Sequence, residues 1–123
     1  MSLGSDIYTV AAAHAGLKAL IDNRIFPIEI PNGEALPAVA WQVITADPNN
    51  SLAEAASEND ATHIVQFTVL ADDFDKIETI GAQLLSAFDN VAVFNSRRAR
   101  CSNWGDLPSD LPGRYARFYE FTI

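Results

Sequence analysis

Two kinds of side chain in this sequence could do chemistry: a thiol with two imidazoles, and a group of guanidinium side chains. The thiol is Cys101, and the imidazoles are His14 and His63. A thiolate beside an imidazole makes a nucleophilic pair, and the arginines that precede Cys101 would lower its pKa. No orienting third group is evident, however, and a metal site would need histidines at close spacing. The pattern therefore defines neither a catalytic residue nor a cofactor or metal site.

The guanidinium groups form the densest cationic segment of an acidic chain. Arg97, Arg98 and Arg100 stand in the segment RRAR, whereas the 123 residues together carry a formal net charge of −8. In a strand, Arg98 and Arg100 would share one face and Arg97 the other. Three uses stay open: solvated or intrachain charge, ion pairs with a neighbouring subunit, or nucleic-acid binding with the nearby Phe94 and Trp104. An acidic chain disfavours sequence-specific DNA binding, but it suits a wall that DNA passes without binding.

Carboxylates are frequent in a polar segment, residues 47–61, that follows no periodic pattern. Glu54, Glu58 and Asp60 lie in it. A connection of this length inside a compact domain is either a flexible hairpin loop or an arm that becomes ordered against a partner. We predict that these three carboxylates and the three arginines are the candidate residues for contacts with other subunits or partners.

The elements that must position these groups follow from hydrophobic periodicity and turn residues. The pattern predicts helix, short strand, strand, strand, helix, strand and strand, at residues 5–23, 24–27, 38–46, 62–72, 72–90, 91–104 and 114–123. The middle pair of strands should form an antiparallel hairpin across the polar segment. We therefore predict an α+β fold, with two helices packed on one face of a mainly antiparallel four- to five-stranded sheet, in a single domain over residues 1–123.

Composition narrows the class of protein further. A single cysteine excludes an intramolecular disulfide and a cysteine-based zinc site. The first residues, MSLGSD, lack the basic and apolar regions of a signal peptide, and no window resembles a membrane span. We expect a soluble protein that is made in the cytoplasm and does not enter a membrane.

Four segments carry a resemblance to a known family: LIDNRIFP, ALPAVAWQVI, HIVQFTVLADDFDKIETIGAQLLSAF and RYARFYEFTI. Together they resemble the tail-completion family (tail terminator, or head-to-tail joining proteins) of long-tailed bacteriophages and prophages. The likeness covers nearly the whole chain. It is weakest in residues 47–61 and in the segment RRARCSNWGDLPSD.

The resemblance implies a structural role in a virion rather than catalysis. It implies a homo-hexameric ring that caps the tail tube, ends its polymerisation and joins the tail to the head. The implied partners are further copies of the chain, the tail tube protein and the head–tail connector protein, with DNA passing through the lumen without specific binding. Two alternatives stay open: another minor capsid or tail accessory protein of a phage, and a small ligand-binding protein or enzyme that uses Cys101 and the histidines.

Overall fold

The computed structural model describes residues 2–47, 62–94, 97–108 and 112–123. Within these ranges the chain forms three helices and six strands. The helices are α1 (Leu3–Ala13), α2 (Ala15–Ile21) and α3 (Phe74–Phe88). The strands are β1 (Ile25–Pro27), β2 (Ala38–Asp47), β3 (Thr62–Ala71), β4 (Val91–Phe94), β5 (Arg97–Leu107) and β6 (Tyr115–Thr122). The predicted α+β class is confirmed, but the predicted numbers of helices and strands are wrong.

The six strands make one mixed sheet, in the order β1-β2-β3-β6-β5-β4. The strand β1 runs parallel to β2, and every other neighbouring pair is antiparallel. The sixth strand appears because residues 91–104 do not form one strand. Instead β4 turns back and pairs with β5, so that Val91 lies opposite Ala99.

The third helix appears because the predicted helix over residues 5–23 is interrupted at His14. The backbone of His14 is extended, with φ −90° and ψ 105°, and its Nδ1 accepts a hydrogen bond from the Leu17 N–H at 3.1 Å. The imidazole thus satisfies one of the free N–H groups at the start of α2, as an N-cap side chain does. His14 lies on the apolar stripe of the sequence, and that position conceals its capping role.

The core lies between the helices and one face of the sheet. Side chains of β3 alternate between buried and half-buried positions along its whole length, as a strand on one hydrophobic layer requires. The apolar stripe of α3 packs on that layer. The largest fully buried side chains of the two elements and of β6 are Phe67, Val65, Val69, Ile77, Ile80, Leu84, Phe88 and Phe121.

A β-bulge in β5 changes which face its side chains occupy. Before the bulge Cys101 lies opposite Phe121, and after it Asn103 lies opposite Glu120, so Ser102 is the extra residue. The Ser102 hydroxyl donates to the Glu120 carbonyl oxygen at 3.2 Å. Odd-numbered residues of β5 therefore face the core before the bulge, and even-numbered residues do so after it.

Candidate assembly interface

The surroundings of Cys101 do not favour a reactive thiol. The thiol is half-buried on the core side of β5, and its Sγ donates to the Asn103 carbonyl oxygen at 3.7 Å. Burial raises the pKa of the Cys101 thiol, and the nearby Asp89 carboxylate raises it further. The prediction that the preceding arginines would lower this pKa is wrong, because desolvation of the thiolate dominates.

The two histidines lie far from Cys101 in the sequence, and both occupy structural positions. His14 caps α2, and its other ring nitrogen, Nε2, lies 3.3 Å from the Ser86 hydroxyl of α3. His63 is buried in β3, with its ring edge-on to Phe94 at a centroid distance of 5.8 Å. Among the described residues, no group of three or more His, Cys, Asp or Glu side chains could hold a metal ion. No helix in the same ranges has the length and apolarity to cross a bilayer.

The predicted cationic cluster lies at the start of β5. Arg98 and Arg100 are exposed, on the face opposite the buried Ala99, as the alternation predicted. Arg98 Nη1 donates to the Asn90 carbonyl oxygen at 2.7 Å and so is tied to the turn before β4. Arg100 is opposite Thr122 of β6, on the face of the sheet away from the core.

Arg97 is half-buried, on the same side as Ala99. The predicted acidic candidates Glu54, Glu58 and Asp60 lie outside the described residues. The structure therefore leaves untested any pairing between these carboxylates and the arginines, and all six residues stay predictions.

A second surface feature lies at the other end of β5. Arg117 of β6 is only 8% exposed, and its Nε donates to Asp106 Oδ1 at 2.6 Å. The guanidinium carbon lies 4.7 Å from the ring centroid of Trp104 and 5.6 Å from that of Phe74. Tyr115 meets Phe74 edge-to-face at 5.8 Å. We call these residues the surface cluster: Phe74, Trp104, Asp106, Tyr115 and Arg117.

The surface cluster is exposed although its central cation is buried. The exposed fractions are 41% for Phe74, 52% for Trp104 and 42% for Tyr115. Hydrogen bonding to Asp106 raises the pKa of Arg117 above its ordinary value, so the guanidinium stays charged. Cation–π contact and the ion pair hold Trp104, Asp106 and Arg117 in one arrangement, which makes a pre-formed surface rather than a loose one.

Sequence reasoning missed the surface cluster because of the bulge. Strict alternation along β5 would place Trp104 on the same face as Arg98 and Arg100. The extra residue Ser102 moves Trp104 and Asp106 to the face of Tyr119 and Arg117. One signal was available in the sequence: Arg117 is the one charged residue in the alternating apolar row Tyr115, Arg117, Tyr119, Phe121, Ile123.

The arrangement of sheet and helices matches that of a protein from a phage-like particle. The chain is similar to a chain in a solved structure described as the virion of a native gene transfer agent particle. The TM-score is 0.69 at 16% sequence identity, over 98% of this chain and 92% of that one. At this identity the likeness shows a shared fold. No curated protein matches the chain in sequence.

The family is shown by a sequence model rather than by the fold alone. The model of the tail completion protein gp17 family matches residues 5–123. The chain therefore belongs to the tail completion protein gp17 family and is a structural component of a phage-type tail. This confirms the resemblance that the four sequence segments carried.

Proposed function

We propose that the protein caps the tail tube as a ring of six copies, ends tube polymerisation and joins the finished tail to the head connector. Family membership over residues 5–123 is the observation that carries the proposal. In this proposal the partners are other copies of the chain, the tail tube protein and the head–tail connector protein. The protein is made in the host cytoplasm and acts in the neck of the virion.

The charge of the chain supports a place around DNA. A net charge of −8 repels phosphates at long range, so a ring of such chains would let DNA pass without holding it. The proposal gives the protein no enzymatic role. Cys101 and His14 hold local structure instead, through the Asn103 carbonyl and the start of α2.

Deleting the gene in the particle that encodes the protein tests the proposal. Electron microscopy should then show tails of irregular or excess length and full heads without attached tails. A plasmid copy of the wild-type gene should restore both tail length and joining. Tails of normal length on full heads in the deletion strain would contradict the proposal and favour another minor capsid or tail accessory role.

A complementing double variant tests the absence of chemistry. Cys101→Ser removes the thiol, and His14→Asn keeps a side chain that can cap α2. We expect this double variant to restore tail joining as the wild-type copy does. If it folds, as circular dichroism would show, but fails to restore joining, the alternative of an enzyme or ligand-binding protein gains support.

A further inference from the structure

We propose that the surface cluster is the receiving half of a contact between two copies of this chain, and that it binds Arg100, with Arg98 beside it, of the second copy. The inference rests on the proposed ring, for which it names the contact between neighbouring subunits. It assigns a role to Trp104, Asp106 and Tyr115, which the sequence did not single out as interface residues.

The chemistry of the surface cluster selects a guanidinium group. It already binds one: Arg117 lies over the rings of Phe74 and Trp104 and forms an ion pair with Asp106. Arginine is the residue that both stacks on aromatic faces and pairs with a carboxylate through a planar fork. Trp104 is still 52% exposed, and the Asp106 side chain is 55% exposed, so both can take a second guanidinium from outside.

The charge around the surface cluster favours the same occupant. Phe74 is flanked in sequence by Asp72, Asp73 and Asp75, all exposed at the start of α3. Lys76 donates to Asp72 at 3.2 Å, and both Lys76 and Arg114 lower the pKa of Asp72. Together with the Asp106–Arg117 pair, four carboxylates and three cations lie in or beside the surface cluster, so the area is negative by one charge. An incoming cation therefore meets aromatic rings with carboxylates beside them.

The chain itself offers a matching cation. Three of its eight Lys and Arg residues lie within residues 97–100, although its net charge is −8. Arg100 is exposed, and no described residue is a hydrogen-bond or ion-pair partner of its side chain. The cationic segment of a second copy therefore suits the slight negative excess and the exposed aromatic rings of the surface cluster.

The placement of the two patches sets the symmetry of the contact. Arg100 and Asp106 lie at opposite ends of β5, roughly 20 Å apart at strand spacing. The bulge at Ser102 also turns them to opposite faces of the sheet. One subunit cannot pair its own patches. In a dimer with a two-fold axis both patches of each subunit would have to meet their counterparts at once, and patches on opposite faces of the sheet are poorly placed for that. A head-to-tail contact uses one patch of each subunit, and such contacts close into rings when the rotation allows.

Mixing two purified variants tests this contact. Trp104→Ala damages only the receiving patch, and Arg100→Glu damages only the donating one; Arg98 is left unchanged because it holds the turn at Asn90. Each variant alone should self-associate at least about tenfold more weakly than wild type, as expected for loss of a central interface residue. Mixed together, the two retain one intact contact per pair and should form a dimer that grows no further. Sedimentation velocity measures all three samples.

Two matched control variants test whether any surface substitution weakens self-association. Tyr8→Ala removes an exposed aromatic ring from α1, and Lys18→Glu reverses an exposed charge on α2. Both should associate as wild type does. If Trp104→Ala unfolds the chain, Tyr115→Ala replaces it, because Tyr115 is exposed and has its ring contact with Phe74 only at the edge.

The inference would be overturned by wild-type association of either variant alone, by the absence of a dimer in the mixture, or by a wild-type protein that is monomeric at every concentration tested. A dimer of Arg100→Glu alone would also contradict it, since the contact would then be between like patches. The proposed function has its own readout in tail length and head joining after gene deletion. If Trp104→Ala restores joining fully, the inference fails while the proposed function stands.

Discussion

Two aromatic groups on the same side of the sheet have different roles. The inner group, Phe67, Phe88 and Phe121, is fully buried, with ring centroids 4.8 to 6.1 Å apart. In the surface cluster the rings of Phe74 and Tyr115 have a similar spacing of 5.8 Å, yet its three rings are about half exposed and lie around a charged guanidinium. The inner rings have all of their apolar surface buried within the fold. The outer rings keep exposed apolar surface and polar neighbours that a partner could contact. Similar side chains are therefore buried in the core in one place and remain about half exposed at the surface in the other.

Removing an inner ring should produce the largest loss of stability. Phe67→Ala leaves a cavity next to Phe88 and Phe121 and should lower the free energy of unfolding by about 3 to 5 kcal/mol. Chemical denaturation followed by circular dichroism measures the loss. The matched control is Phe74→Ala in the surface cluster, which should cost about 1 kcal/mol or less because the ring is already 41% exposed. Equal losses in the free energy of unfolding for the two variants would show that the inner group and the surface cluster do not differ in their contribution to stability.

Removing the cation at the centre of the surface cluster should have a smaller effect. Arg117→Met loses the ion pair with Asp106 and both ring contacts, and we expect a loss of about 1 to 3 kcal/mol. The loss is below that of a buried pair because the Asp106 side chain, which is 55% exposed, regains water. The control Asp106→Asn keeps a hydrogen-bond acceptor for Arg117 and should lose less. A loss as large as that of Phe67→Ala would mean that the surface cluster is part of the core.

Tyr119 connects the two regions, and Gly81 of α3 lies against it. A Cβ at Gly81 would collide with the Tyr119 hydroxyl, and Tyr119 in turn stacks on Trp104 at 6.0 Å. Gly81→Ala should therefore destabilise the protein by about 1 kcal/mol, because the collision outweighs the better helix propensity of alanine. The melting temperature measures this effect. Adding Tyr119→Phe removes the hydroxyl but leaves the ring carbon Cζ 2.8 Å from the new Cβ, so it should recover only part of the loss; full recovery would mean that the ring moves aside freely.

The smallest change in stability is expected for Trp104, the residue that we propose to receive Arg100 of a second copy. Trp104→Ala should change the free energy of unfolding by about 1 kcal/mol or less, since half of the ring is in solvent. The same variant should lose self-association, which sharpens the contrast with Phe67→Ala. Thermal melts and sedimentation of one preparation give both values. A loss of several kcal/mol for Trp104→Ala would remove the distinction between the two groups.

The periodicity of hydrophobic residues was sufficient to predict the helix and the strands that carry the inner group. Val65, Phe67 and Val69 alternate along β3, and the stripe of α3 recurs every three or four residues, so the sequence itself indicates the buried side. The same reasoning placed Tyr115 and Arg117 on one face of β6. These parts were predictable because burial on one face imposes a regular pattern.

The parts that could not be predicted depend on single side chains that interrupt such a pattern. His14 looks like another position on a helical stripe, and only its bond to the Leu17 N–H shows that one helix ends and another begins there. Ser102 looks like an ordinary strand residue, yet as the bulged residue it reverses the facing of Trp104. The hydrophobic pattern of β5 gives no sign of this bulge, so the facing of Trp104 and Asp106, and with it the surface cluster, could not be predicted from the sequence.

The two outer strands of the described sheet cover only part of the strands beside them. The outer strands β1 and β4 are the shortest of the sheet, at three and four residues, and β1 ends at Pro27, which has no N–H to offer. β1 pairs with Val39–Trp41 of β2, and β4 pairs with Arg97–Ala99 of β5. Beyond these residues, no described strand lies on the outer side of β2 or of β5. An added strand could pair with the backbone at either place, so the described sheet has two sites at which it could be extended.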